Sequence, residues 1–146
     1  MSDSSSFFER LNNTSTPPMV MGILNVTPDS FYDGGKYVQK ETILSQAQKM
    51  VNEGTDIIDV GGMSSRPGAK EISIEEEQDR VCAVITQIRK EFPLLEISID
   101  TYRTKVAEEA LNSGATIIND ISGGDLCEDM FTLVAQKYVP YIMMHM

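Results

Sequence analysis

Five polar residues stand at or near the ends of short apolar runs: Asn25, Asp59, Asp100, Asn119 and His145. Around them stand Asp29, Asp33, Ser64, Ser65, Arg66 and Asp120. Carboxylates accept hydrogen bonds, and amides both accept and donate. An oxygen-rich set of this kind suits a hard cation. Arg66 adds a planar fork for a carboxylate or phosphate, and the two serines add hydroxyl donors. Each residue also has a plainer use. Asp and Asn at strand ends cap helices or close turns. A lone histidine on an apolar strand is most often a satisfied core residue, and Met143 and Met144 can simply pack. Five consecutive strand ends with polar groups on one rim, glycines at three of them, favour a binding site. No Ser-His or Cys-His pair stands out, so a covalent nucleophile is not indicated.

These groups need elements to carry them. The apolar runs cover 19–24, 56–60, 96–99, 116–118 and 141–144, short and β-branched as strands buried on both faces are. Helical periodicity fills the gaps. Ile43, Leu44, Ala47, Met50 and Val51 share one face; so do Val81, Val84, Ile85 and Ile88. The same spacing recurs at Val106, Ala107, Ala110 and Leu111, and at Phe131, Val134, Ala135 and Tyr138. Ser73 with Glu76 predicts a capping box, and Gly54 and Gly114 fall where helices end. The order β-α-β-α-β-α-β-α-β predicts an α/β chain with a parallel sheet. No Gly-x-Gly-x-x-Gly follows a strand, so a dinucleotide fingerprint is absent. A (β/α)8 barrel and an open doubly wound sheet both fit. In either, ligands bind at the carboxyl ends of the strands.

Composition bounds the partners. The 146 residues carry a formal net charge of −10, which argues against nucleic acid. No apolar stretch is long enough for a membrane span. The two cysteines, Cys82 and Cys127, lack CxxC spacing and read as reduced thiols of a cytoplasmic protein. The start has no basic stretch followed by an apolar core, so it is not a secretory signal. Residues 1–17 read as a polar, mobile lead-in anchored by Phe7, Phe8 and Leu11.

From about Met19 onward, GILNVTPDSFYDGG, DIIDVGGMSSRPGA, SIDTYRTKVAEEAL, GATIINDISGG and YIMMHM closely resemble dihydropteroate synthase, in that family's order and spacing. The resemblance implies a (β/α)8 TIM barrel, of which residues 18–146 would form the first four and a half β/α units. It implies the joining of 6-hydroxymethyl-7,8-dihydropterin diphosphate to p-aminobenzoate, releasing diphosphate, with sulfonamides competing for the aminobenzoate pocket. Asn25 is then the Mg2+ contact. Asp29 and Asp33 lie on the first loop, over the diphosphate and aminobenzoate. Ser65 contacts the pterin substrate, and Arg66 lies near the diphosphate and aminobenzoate. Asp100 and Asn119 bind the pterin, and Met144 packs on its ring.

Met63 stands where the family often has an acidic residue. The family's later Asp, Lys and Arg-x-His groups are not in this sequence. The expectation is therefore a truncated, open half-barrel that is inactive alone and self-associates through its sheet edges. The whole barrel would be a homodimer. Two other readings compete: the pterin-binding domain of a methyltetrahydrofolate corrinoid methyltransferase, and a non-catalytic pterin-binding chain. The full TPDSF and SSRPGA loops favour the synthase, because the methyltransferases have no aminobenzoate to place.

Overall fold

The computed structural model describes residues 4–27, 36–64, 68 and 70–144. The chain runs α1 (Ser4–Asn12), β1 (Met21–Asn25), α2 (Lys36–Asn52), β2 (Ile57–Gly61) and α3 (Ile74–Glu91). It continues through β3 (Glu96–Asp100), α4 (Thr104–Asn112), β4 (Ile117–Asp120), α5 (Asp129–Lys137) and β5 (Tyr141–Met143). All strand pairings are parallel, and the sheet order is β1-β2-β3-β4-β5. A doubly wound sheet reverses its order at a switch point, whereas a barrel adds each strand beside the last. The unreversed order settles the alternative left open by the sequence: this is a partial TIM-barrel fold.

Side-chain alternation gives the sheet two different faces. Leu24, Ile58, Val60, Ile97, Ile99 and Ile118 face the helices and join the main core with Ile43, Ala47, Val81, Ile85, Ile88, Val106 and Ala110. Burying each large aliphatic side chain contributes about 1.5–3 kcal/mol, so this layer dominates the favourable side of folding. The concave face is apolar at its base, where Ile57 and Ile117 pack with Phe7 and the flanking Met19, Met21 and Ile142. Higher up it turns polar, with Asp59, Ser98, Asp100 and Asn119.

Ser73 caps α3, the Glu76 amide donating to its hydroxyl at 3.1 Å; the Glu76 carboxylate accepts from Arg80, so only the Ser73 half of the expected box is seen. Gly54 (φ 97°) and Gly114 (φ 116°) end their helices in the left-handed region. Two expectations need correction. Before β1, α1 docks under the sheet through Phe7. Arg10 Nη2 lies 2.7 Å from Asp56 Oδ1, while the Val20 amide donates to Asp56 Oδ2 at 2.8 Å. These two groups, Val20 first, hold the Asp56 carboxyl below its usual range. Only Phe7 of the three expected anchors is buried; Phe8 and Leu11 are exposed. On α5 the buried stripe is Met130 and Leu133, whereas Phe131 and Tyr138 are exposed. In a nine-residue helix the i, i+3, i+4 pattern fits two neighbouring stripes. Phe131 instead meets the Tyr141 ring edge-on, centroids 5.7 Å apart. Among the described residues, no helix is long and apolar enough to cross a membrane.

Candidate functional site

Register brings the strand ends together. Asn25 pairs with Gly61, Gly61 with Asp100, and Asp100 with Asn119, so one row crosses four strands on the concave rim. Gly61 is the gap in that row. A Cβ there would lie 3.3 Å from Asn25 Oδ1 and 3.4 Å from Asp100 Oδ2. The absent side chain leaves a notch between an amide oxygen and a carboxylate, close enough for a ligand to approach the backbone.

Below the row lies a second polar layer. Asn119 Nδ2 donates to Asp59 Oδ2 at 3.0 Å, linking alternate strands as barrel layers do. Asp59, Ser98 and Asn119 are all buried. Yet Asp59 Oδ1, Ser98 Oγ and Asn119 Oδ1 make no well-formed hydrogen bond among the described residues, although Ser98 lies close enough to Asp59 to stabilise its charge. Buried polar atoms are normally satisfied, because an unpaired one costs about 1–3 kcal/mol. Three such atoms on one concave face fit a polar ligand that completes them. Burial pushes the Asp59 carboxyl up, and the neighbouring Ser98 and Asn119 side chains pull it back. Asp100 is raised to about 6, by burial first and then by the negative charges of Asp59, Glu77 and Asp120.

A buried ion pair supports the rim from the helix side. Glu77 of α3 is fully buried. It accepts from Thr101 Oγ1 at 2.8 Å and from Arg103 Nη1 at 3.0 Å. Arg103 also reaches the Ile72 carbonyl at 2.9 Å and Glu71 at 3.1 Å. Residues just before α3 and the β3–α4 turn beside Asp100 are thus tied to one carboxylate. Burial raises the Glu77 carboxyl, while Thr101 and Arg103 draw it down.

Of the expected site residues, Asn25, Asp100 and Asn119 share the rim row. Met144 follows β5 on the same face by alternation with Ile142, and it is exposed. Asp29, Asp33, Ser65, Arg66 and His145 lie outside the described residues. Sequence reasoning passed over Ser98 and gave Asp59 no role. Alternation within EISID and IIDVG puts them on the face of Asp100 and Gly61, and that signal was there to use.

Three comparisons bear on this site. Dihydropteroate synthase of Bacillus subtilis is 50% identical over 127 residues, covering 87% of this chain and 44% of the relative. A dihydropteroate synthase from Clostridium difficile, solved in the presence of pteroic acid, superposes with TM-score 0.82 at 43% identity. That match covers 87% of this chain and 48% of the other. The Xanthomonas albilineans enzyme with 4-aminobenzoic acid gives TM-score 0.81 at 40% identity, over 88% of this chain and 46% of that one. The chain spans about half the length of these relatives. Residues 21–146 match the family described as pterin binding enzyme, and with the barrel order and the polar rim this places the chain in the pterin binding enzyme family.

Proposed function

We propose that this chain supplies the first half of a dihydropteroate synthase site, joining 6-hydroxymethyl-7,8-dihydropterin diphosphate to p-aminobenzoate. The observation that carries the reading is the polar cluster of Asp59 and Ser98 beneath Asp100 with Asn119 beside it, and its three atoms without a well-formed hydrogen bond. A pterin edge alternates donors and acceptors. Asp100 accepts from it, Asn119 can do both, and Met144 packs on the ring.

The reaction breaks the C–O bond to diphosphate, which leaves with the electron pair. The aminobenzoate nitrogen forms the new C–N bond and loses its proton. Asp29, Asp33 and Arg66 act at the diphosphate and aminobenzoate, and Ser65 contacts the pterin substrate. Electrostatic stabilisation of the departing anion is the main demand. Mg2+ suits that demand, and Asn25 Oδ1 beside the Gly61 notch is an oxygen donor of the right type. Among the described residues no three His, Cys, Asp or Glu side chains could hold a metal together. Mg2+ commonly takes one or two protein oxygens, with substrate phosphates and water completing its shell. On the same reading sulfonamides compete with aminobenzoate, and the whole barrel works as a cytoplasmic homodimer.

The test has two parts. Pterin fluorescence is titrated against the 146-residue chain, its Asp100→Asn and Asn119→Ala variants, with methyltetrahydrofolate as competitor. Diphosphate release is then followed with the later barrel half of a dihydropteroate synthase added in trans, with and without Mg2+ and p-aminobenzoate. Binding that both variants weaken, and release that needs both additions, support the proposal. Preference for methyltetrahydrofolate, or no release with both halves present and pterin bound, would sink it.

A further inference from the structure

We propose that Asp120 is a positioning residue: from the helix-facing side of the sheet it locks the β4–α5 turn onto the end of β5 and so sets where Asn119 and Met144 stand. The inference rests on the pterin reading for what the pocket holds, and on geometry alone for the lock. Asp120 is fully buried and, by alternation along β4, faces away from the concave rim. It cannot touch a ligand there.

Two donors converge on each of its three oxygens. Oδ1 accepts from the Ser122 amide at 2.8 Å and its hydroxyl at 2.7 Å. Oδ2 accepts from the Gly124 amide at 3.1 Å and the Tyr141 hydroxyl at 2.8 Å. The backbone carbonyl accepts from the Gly123 amide at 3.1 Å and the Met144 amide at 3.2 Å. A carboxylate with four donors is well compensated for burial, and such charge-assisted bonds are strong.

The turn they form has no room to spare. Gly123 and Gly124 sit at φ 61° and 93°. A Cβ on Gly123 would come within 2.5 Å of the Met144 carbonyl, and one on Gly124 within 2.4 Å of Phe131 Cε2. The turn therefore rests directly on the backbone of Met144. Burial, then the hydrogen bond to Asp120 and the Asp120 charge, push the Tyr141 hydroxyl above its usual range. Asp120 thus ties the turn to both ends of β5, its carboxylate to the Tyr141 hydroxyl at the start and its backbone carbonyl to the Met144 amide just past the end.

The test compares Asp120→Asn, Tyr141→Phe and Leu133→Ala in the 146-residue chain. Leu133 is a buried α5 residue and serves as a destabilising control. Three quantities are read: urea midpoint, amide exchange over 121–125, and affinity for 6-hydroxymethylpterin at a urea-free condition where each variant is folded. In Asp120→Asn one oxygen becomes an amide NH2 facing donors only. Exchange should quicken, and pterin affinity should fall about tenfold. Tyr141→Phe removes one of the four side-chain donors and should show the same pattern at smaller size. Leu133→Ala should lower the midpoint and leave the affinity unchanged. Affinity falling no more in the first two than in Leu133→Ala overturns the positioning role. Unchanged exchange over 121–125 overturns the lock. A wild-type chain that binds no pterin overturns the functional reading and the pocket role with it, while exchange still decides the lock.

Discussion

Replacing Arg103 with methionine should destabilise the fold by about 3–5 kcal/mol at pH 7.5, the usual range for stranding one charge of a buried pair. Glu77 has no exposed side-chain surface, and Arg103 has 11%. Without the guanidinium, Glu77 keeps the Thr101 hydroxyl at 2.8 Å as its hydrogen-bond donor. The Ile72 carbonyl and Glu71 lose their partner too, but Glu71 is well exposed and that pair adds little. Glu77→Gln alone should cost less, about 1–2 kcal/mol, because it leaves no stranded buried charge and Arg103 keeps the Ile72 carbonyl and Glu71. The double variant Glu77→Gln/Arg103→Met should be more stable than Arg103→Met. The sign with pH follows from linkage. Glu77 already sits above its ordinary value of 4.5, and losing Arg103 raises it further. A carboxyl raised in the folded state binds its proton there first, so stability grows as pH falls through the folded value toward the unfolded one. The Arg103→Met deficit should therefore shrink between pH 7.5 and 5.5. Urea unfolding followed by circular dichroism at both pH values measures it. A single-variant loss below about 1 kcal/mol, or one that does not change with pH, would refute the buried-pair account.

Three further outcomes follow from the same geometry. Asp100, raised to about 6, must be ionised to accept from a pterin N–H, so affinity should fall below that pH, about tenfold per unit; pterin titrations from pH 8 to 5 check this, and a flat profile removes Asp100 from the contact. Gly62→Ala would put a Cβ 2.8 Å from Val81 Cγ1 and 3.1 Å from Glu77 Cγ. Overpacking of that kind costs about 1–3 kcal/mol, read as a lower urea midpoint. Phe7→Ala should cost about 3 kcal/mol and speed proteolysis across 13–20, the link from α1 to β1; unchanged proteolysis would mean that α1 does not depend on that anchor.

Much of the scaffold was readable because its signals are local. The α2, α3 and α4 stripes, the Ser73 cap and the Gly54 and Gly114 ends each depend on residues within a turn or two. Asn25, Asp100 and Asn119 were found for a similar reason: each marks the point where an apolar run stops. The α5 stripe failed because two stripes fit so short a helix, and only packing against Tyr141 separates them. The Phe7 anchor was legible as an apolar residue in a polar stretch, but the helix carrying it was not, because one buried aromatic has no period.

By itself the sequence determined the order of elements from β1 onward, the polar character of the strand ends and the family. The tertiary structure decided which of those ends act together. Parallel register set Asn25, Gly61, Asp100 and Asn119 in one row, and barrel stagger joined Asp59 to Asn119 across 60 residues. It also brought Tyr141 and Met144 against Asp120. Each of these depends on distances between segments far apart in the chain, which become definite only when the strands pair and the helices bury their apolar faces against them.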